Sequence, residues 1–547
     1  MSLRFIALSG TVSVTENLYI YETDDKMMIV DCGVGFPDLE MHGVDLVIPD
    51  FSYVVKNKEK LAGVVLSQGH EDHIGALPFL LQELKTTIWA APLVREFLND
   101  KFKDYKVKGA RINTFNPDND TFSVGPFKVH PFRVTHSIPD SVGFAIDTPE
   151  GRIFHVPEHK MDPNPVSGKG FDLQRAKSLT NKDTLFLASD CLGANRPGFT
   201  ESERKIEGNM YNIVREAPNA VFMTAISSNI SRFQQMINVA EKTKRKVSFV
   251  GRSVQKKSEI AHDLGLLKYS NDRVVGLKRM NRLPRNKRMY IVAGCYGQVG
   301  SSLYRIALDE HDRVEIESKD TVVFSADPAP PYTKESENFV IDNLFDRGAD
   351  VHYYDLDEDL YVSGHGSQED IVELFRIVNP KYFIPIGGAI RFMHAYEKLA
   401  DDFGAKPGSV FKLKPGENII FDNGRAKLGP QVPAKEVLVH GLGIGDVGKV
   451  VLGDRAVLGN EGIAVVVIKI RKNKVVDTPE IISRGFVFEK SEKDFLMNAG
   501  KRLKGQIEKR KKLNKRVVED TSLQYLDNFF YQKTGRRPMI LPVVVSL

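Results

Sequence analysis

The chain has 547 residues, 42% of them apolar and 27% charged, which is an ordinary balance for a soluble globular protein and too apolar for a disordered one. At roughly 150 residues per domain, this length predicts about three or four folding units. The net charge of +5 is unevenly spread: Arg273–Arg288 carries +7 and Lys501–Arg516 carries +8, so the remainder stands at −10. Local surpluses of this kind suit an anionic partner as well as plain solvation. No apolar run approaches the ~18 residues of a membrane span. The opening MSLRFIALSGTVSV lacks the succession of charged leader, apolar core and cleavage site that marks a signal peptide. Cys32, Cys191 and Cys295 lie far apart with no CxxC pair, which disfavours a disulfide framework or cysteine zinc site and predicts a cytoplasmic location.

Leu3 to Val34 reads as three short strands, FIAL, LYIYET and KMMIVDCG, separated by glycine or charged turns. LAGVVLS (61–67) has the length of a buried strand and ends in QGHEDHIGALPFLLQEL, where helical spacing takes over from Leu77. TIWAA, FKVHPFRVT, GFAIDT and RIFHVP are further strands, so the first ~190 residues predict stacked sheets with a few covering helices. From Thr200 helices and strands alternate: ERKIEGNMYNIVREA, AVFMTAI, SRFQQMINVAEKT, KVSFVGRS, MYIVAGCYG and TVVFSAD. That alternation predicts βαβ units around a parallel sheet. A further βα stretch covers 349–422, and the Gly/Pro-rich NGRAKLGPQVPA (423–434) reads as a linker. Beyond it VLVHGLGIGDVGKVVLGD and EGIAVVVIKI read as strand pairs, the second basic window as a helix, and VVVSL as a last strand.

The densest chemistry is Gln68-Gly69-His70-Glu71-Asp72-His73, directly after a buried strand. His70, Asp72 and His73 offer two imidazoles and a carboxylate, a donor set suited to zinc or manganese. His136 follows FRVT, and Glu158 with His159 follows RIFHVP. Each closes an apolar strand, which predicts that all of them share one edge of one sheet.

IVDCG, GHEDHIGALP, VTHSIPD and SGHGSQED together resemble the metallo-β-lactamase superfamily, within it the β-CASP nucleases, and among those ribonuclease J. SDCLGANRPGFTESE, SSNISRFQQ, VGRSV, VVFSADPAP, NPKYFIPIGG and GLGIGDVG extend the resemblance along the whole chain. The resemblance implies an α/β fold: a four-layer αβ/βα metallo-β-lactamase core, an inserted β-CASP domain and a small α+β C-terminal domain. Carried onto this sequence, the core covers 1–205 and 350–425, the insertion 206–349, a linker 426–434 and the terminal domain 435–547. It further implies hydrolysis of single-stranded RNA from a 5′-monophosphate end or internally, two divalent metals (zinc or manganese, with magnesium as a third option), and a homodimer or a hetero-oligomer with a paralogue. The metal ligands would be His70, Asp72, His73, His136 and Glu158, with Asp72 nearest the attacking water. His365 matches a histidine that assists the leaving group. Ser363, Gly364, Gly366 and Ser367 around it, with Ser228 and Asn229, match phosphate-contacting stretches.

Three positions depart from the family pattern. Gln68 replaces the first histidine of HxHxDH, Glu158 the bridging aspartate, and Gly387 the last histidine ligand. His159 and His394 are candidates to compensate. The alternative function is a weak or inactive paralogue that binds RNA or an active subunit. A small-molecule hydrolase is disfavoured by the insertion and the charge pattern. Gly443-Ile444-Gly445-Asp446-Val447-Gly448 satisfies GxGxxG, but a dinucleotide site needs a helix to start there, and KVVLGDRAVL reads as continuing strand. No GxSxG elbow supports a serine triad. The window Arg273–Arg288 lies in the insertion and is expected to line the route of RNA, whereas Lys501–Arg516 lies in the terminal domain.

Overall fold

A computed structural model describes residues 2–38, 40–180, 183–326, 333–441, 443–445, 447–486 and 489–547. Asp327–Pro330 of the VVFSADPAP motif, and Leu442 and Asp446 of GLGIGDVG, lie outside the described residues. The chain divides into two compact units, 1–36 with 47–437 and 37–46 with 438–547.

In the first unit two sheets face each other. One has eight strands in the order Arg425–Leu428, Asn418–Asp422, Leu3–Ser9, Leu18–Glu22, Met27–Val30, Leu61–Val65, Thr87–Ala90, Arg111–Thr114. The other has six, Tyr382–Ile386, Thr184–Asp190, Gly151–Val156, Val142–Thr148, Phe127–Arg133, Phe122–Val124. Aromatic rings join them: Phe5 and Phe186 lie 5.5 Å apart, and Phe186 and Phe421 4.9 Å. Helices cover the outer face of the six-stranded sheet, where Ile371, Leu374, Phe375 and Tyr396 share a core with Phe132, Phe154 and Leu187. Strands such as Met27–Val30 and Thr184–Asp190 are therefore buried on both faces, which is why they read as continuous apolar runs.

His155 sits between the sheets, its Nδ1 2.8 Å from the Tyr21 hydroxyl and its ring centroid 5.0 Å from that of Tyr19. Burial pushes its pKa down to about 4. Below ~6.5 the unfolded chain takes up a proton that the folded one refuses, so stability falls with pH until about 4, by about 3 kcal/mol in all. We expect the urea midpoint to drop across that window, and His155→Phe, neutral at every pH, to flatten that part of the profile.

A five-stranded parallel sheet, ordered Lys246–Val250, Arg288–Val292, Val221–Thr224, Thr321–Phe324, Asp350–His352, carries the alternating segment. The second unit centres on Ile463–Arg471, antiparallel to Glu480–Arg484 and parallel to Met539–Ser546. One face of that sheet packs on the helices Glu489–Glu508 and Lys515–Thr534.

Three readings of the sequence change. The linker assigned to 426–434 is shorter, because Arg425–Leu428 is an edge strand paired with Asn418–Asp422. KVVLGDRAVL is helical: Lys449–Glu461 is a helix whose described residues are all exposed or half-exposed, so its valines mimic strand composition without a buried face to set a period. This helix still does not complete a dinucleotide fold, since Val437–His440 pairs antiparallel with Gly443–Ile444 and Ile463–Arg471 belongs to another sheet. The second basic window spans the end of one helix, a turn and the start of the next rather than a single helix.

Candidate metal centre

The candidate ligand residues close strands of both facing sheets, not of one as the strand pattern suggested. His70, Asp72 and His73 follow Leu61–Val65 of the eight-stranded sheet, whereas His136 and Glu158 follow Phe127–Arg133 and Gly151–Val156 of the six-stranded one. They form two groups, His70 with His136 and Glu158, and Asp72 with His73 and Glu158, the ligand atoms of each lying within 4.8 Å of one another. Glu158 joins the groups: Oε2 is 2.9 Å from His136 Nε2 and Oε1 is 3.1 Å from His73 Nε2. Asp72 Oδ2 lies 3.5 Å from His73 Nε2, and His70 Nδ1 lies 3.3 Å from His136 Nε2.

Both inner imidazoles are oriented from behind. His73 Nδ1 lies 2.8 Å from Asp31 Oδ2, and His136 Nδ1 is 2.9 Å from the Gly364 carbonyl. Each ring thus uses Nδ1 outward and turns Nε2 to Glu158, the arrangement by which an outer acceptor fixes a ligating histidine. Asp31 is itself held by Ser67, whose N–H and hydroxyl donate to it over 2.8 and 2.7 Å. Gly33 is required beside it, since a Cβ there would fall 1.5 Å from the Asp72 carbonyl oxygen. Asn17 reaches the same corner, with Nδ2 3.4 Å from Asp72 Oδ2.

The electrostatics follow from burial and mutual proximity. Burial and the neighbouring His136 push the His70 pKa well down, while burial and Glu158 raise Asp72 to about 6. For His73, burial opposes charging, but Glu158, Asp72 and Asp31 more than offset it and raise its pKa well above the usual range. Glu158 shows the converse: burial would raise it, and His73 and His136 hold it well below the carboxylate range.

The donor set fits divalent cations. Two imidazole–carboxylate groups share one carboxylate, and Gln68 Oε1 is buried with no hydrogen-bond partner among the described residues. Gln68 Nε2 meanwhile donates to Glu158 Oε2. We expect Asp31→Asn, which preserves volume but weakens the orientation of His73, to lower Mn²⁺ affinity by about 10–100-fold in calorimetric titration.

His365 stands next to this edge. Its Nδ1 lies 2.7 Å from Asp190 Oδ2, and its ring centroid is 5.1 Å from that of His136. Burial lowers its basicity, but Asp190 and Glu158 prevail and raise the pKa to about 9. Much of the loop around it is engaged: Ser363 Oγ accepts from Arg196 Nη2 and His365 N, Gly366 N donates to His159 O, and Ser367 caps the helix Gln368–Val378. Gly364 passes so close to His136 that a Cβ would lie 2.8 Å from its ring. Ser228 and Asn229 are buried, and the Asn229 side-chain oxygen caps Ile230–Lys242 by accepting from Arg232 N.

Neither compensating histidine joins the groups. His394 is exposed on its helix beside Lys412 and Glu397. His159 is buried, with both ring nitrogens lacking hydrogen-bond partners among the described residues. Gly387 adopts a φ of +65°, and a Cβ there would lie 3.5 Å from the Pro157 carbonyl oxygen and 3.8 Å from Asp190 Oδ1. Sequence reasoning misses Asp31, Asp190 and Asn17 as functional candidates. The first two close apolar strands as the ligands do, so the same signal marks them.

A ribonuclease J β-CASP domain model matches residues 218–344, a ribonuclease J C-terminal domain model 450–547, and a β-lactamase superfamily domain model 28–173. Together, facing sheets, ligand-bearing strand ends and inserted parallel sheet define a metallo-β-lactamase-type protein with a β-CASP insertion and a C-terminal domain. The chain is 33% identical over 560 residues to ribonuclease J2 of Bacillus subtilis strain 168, covering 100% of this chain and 99% of the relative. It is also 33% identical over 554 residues to ribonuclease J 2 of Staphylococcus aureus MRSA252, covering 100% and 98%. A crystal structure of a protein of unknown function from Enterococcus faecalis V583 shares the fold, with a TM-score of 0.53 and 15% identity over 77% of this chain and 100% of that one. The chain belongs to the ribonuclease J family.

Proposed function

We propose that this protein is a metal-dependent ribonuclease that hydrolyses phosphodiester bonds of single-stranded RNA, from a 5′-monophosphate end or internally. The observation that carries the reading is the pair of ligand groups sharing Glu158, with His73 and His136 oriented from behind. Zinc, manganese or magnesium bound there would supply an activated water and neutralise phosphate charge. Asp72 would orient the attacking water through its carboxylate. Asp190 fixes the His365 ring through Nδ1, which leaves Nε2 to pass a proton to the departing oxygen. Ser363, Gly364, Gly366 and Ser367, with Ser228 and Asn229, would contact phosphate, although the side chains of Ser363, Ser367 and Asn229 already hold bonds within the protein.

The alternative, a weak or silent paralogue that binds RNA or serves an active subunit, draws on one observation. Gln68 places an N–H on the very oxygen of Glu158 that faces His136. The deciding experiment is cleavage of 5′-monophosphorylated RNA by purified protein with Mn²⁺, Mg²⁺ or Zn²⁺, with metal content measured on the same samples. Cleavage above background under any one metal supports the enzyme.

Self-association, or pairing with a paralogue, is supported by the outer face of the second unit's sheet, where Ile482, Leu541, Val543 and Val545 are exposed. Among the described residues no helix is long and apolar enough to cross a membrane. A cytoplasmic location is proposed from Cys32 and Cys191, which are buried and form no disulfide among the described residues.

The insertion's basic window gives the RNA route less support than its composition promised. Arg273 donates to Arg245 O, Arg279 pairs with Asp272, Arg285 with Asp320 and Glu317, and Arg288 donates to Leu283 O. Lys278, Arg282 and Lys287 remain for an external anion.

A further inference from the structure

The second unit brings together two basic segments that the sequence separates. The hairpin joining Ile463–Arg471 to Lys474–Val475 exposes Arg471–Lys474 at its tip. The turn between helices Glu489–Glu508 and Lys515–Thr534 exposes Lys509–Lys512. A hydrogen bond of 2.6 Å from Leu513 N to Asn473 Oδ1 ties the two turns together. Lys515 and Arg516 continue the charge on the next helix, 73% and 91% exposed, with acids no nearer than 3.9 Å. The side chains of Lys472, Lys474 and Lys509–Lys512 have no ion pair or hydrogen bond among the described residues, in contrast to the basic window of the insertion, whose arginines are mostly engaged. The fold therefore spreads a continuous cationic surface over two turns that carry none of the metal-site residues.

We propose that this joined surface, Arg471–Lys474 with Lys509–Lys512, is an auxiliary site for the phosphate backbone of single-stranded RNA. The proposal rests on RNA as the ligand of the function proposed above. Backbone binding is the chemistry the surface fits: many unpaired ammonium and guanidinium groups meet serial phosphates by releasing counterions. The neighbouring apolar residue, Leu513, is half-buried, so the surface offers little of the apolar insertion that an interfacial membrane contact uses.

The test uses the full chain carrying Asp72→Ala, so that RNA survives, and measures affinity for a single-stranded RNA of about 30 nucleotides, longer than one typical single-strand site, as a function of salt. Replacing Lys509, Arg510, Lys511 and Lys512 by glutamine should weaken binding by roughly tenfold or more at low salt. It should also make log K against log salt shallower by about 0.7 for each phosphate no longer neutralised, roughly 3 for all four. Adding Lys472→Gln and Lys474→Gln should extend the loss. Lys493→Gln with Lys533→Gln, which removes two charges elsewhere on the same unit, should have little effect. Unchanged affinity and slope in the four-site variant, with unchanged thermal stability, would overturn the proposal. So would equal losses in the control, or a loss confined to anionic vesicles or an acidic peptide while RNA binding stays intact. Binding is read without cleavage, so an inactive enzyme that keeps this salt dependence defeats the ribonuclease reading alone, and an active enzyme without it defeats this site alone.

Discussion

Asp72→Ala should lower cleavage of 5′-monophosphorylated RNA by about 10²–10⁴-fold, the range for losing a group that orients or deprotonates a nucleophile. Asp72 belongs to one ligand group only, with His73 and Glu158, so the His70–His136–Glu158 group survives the change. Metal content should therefore fall by less than activity does. Glu158→Ala is harsher, since it removes a donor from both groups and leaves His73 and His136 facing each other without the anion between them. Gln68→His tests the departure from the family pattern, because it replaces an amide that donates to Glu158 Oε2 by an imidazole with a lone-pair nitrogen to offer a metal. Gly387→His is a poorer test: with φ at +65°, any side chain costs about 1–2 kcal/mol of backbone strain before it binds anything. If wild type and Asp72→Ala both stay at background under every metal, the enzyme reading fails and the binding-subunit reading stands.

Arg232→Ala should destabilise the first unit by about 3–5 kcal/mol, the range for breaking a buried ion pair on one side. Arg232 is fully buried and heads the largest such side chains. It donates through Nη1 to the carbonyls of Ser325 and Leu360 and through Nε to Gln235 Oε1, and its Nη2 lies 3.6 Å from Glu203. Removing it takes away the guanidinium nearest Glu203, whose Oε1 has no hydrogen bond of its own among the described residues, and leaves only the buried Lys160 to balance that carboxylate. Because Leu360 leads into the loop carrying His365, the loss should also loosen that loop. Urea unfolding gives the stability change, and Arg232→Lys, which keeps charge but loses the planar fork, should recover only part of it.

What the sequence revealed was what local pattern controls. Buried strands were legible as apolar runs, and the candidate ligands as polar residues closing them, since both are set by a few adjacent positions. The partition of those strands into two facing sheets was not legible, because pairing joins residues such as Leu3 and Phe421. Asp31 and Asp190 were hidden for a related reason: a carboxylate becomes an orienting group only when a histidine distant in sequence arrives beside it. The helix Lys449–Glu461 reads wrongly as strand because its composition favours strand and no buried face imposes a helical period. Charge counting found both basic windows but could not distinguish arginines holding carbonyls from lysines facing water.

Glu71, between the candidate ligands His70 and Asp72, directs its carboxylate to two lysines: Lys101 Nζ at 2.6 Å on helix Pro92–Asp104, and Lys257 Nζ at 3.5 Å on helix Arg252–Asp263. Burial raises the Glu71 pKa, and the lysines more than offset that, so the group stays charged. The inserted sheet is thereby fastened to the peptide that presents the ligands. In a chimera with a relative, the segments 68–73, 92–104 and 252–263 form one exchange unit. Replacing the insertion by one that lacks a lysine at position 257 leaves a half-buried acid short of one partner within one residue of two candidate ligands, so the junctions of a workable hybrid are set by this ion triad rather than by domain limits.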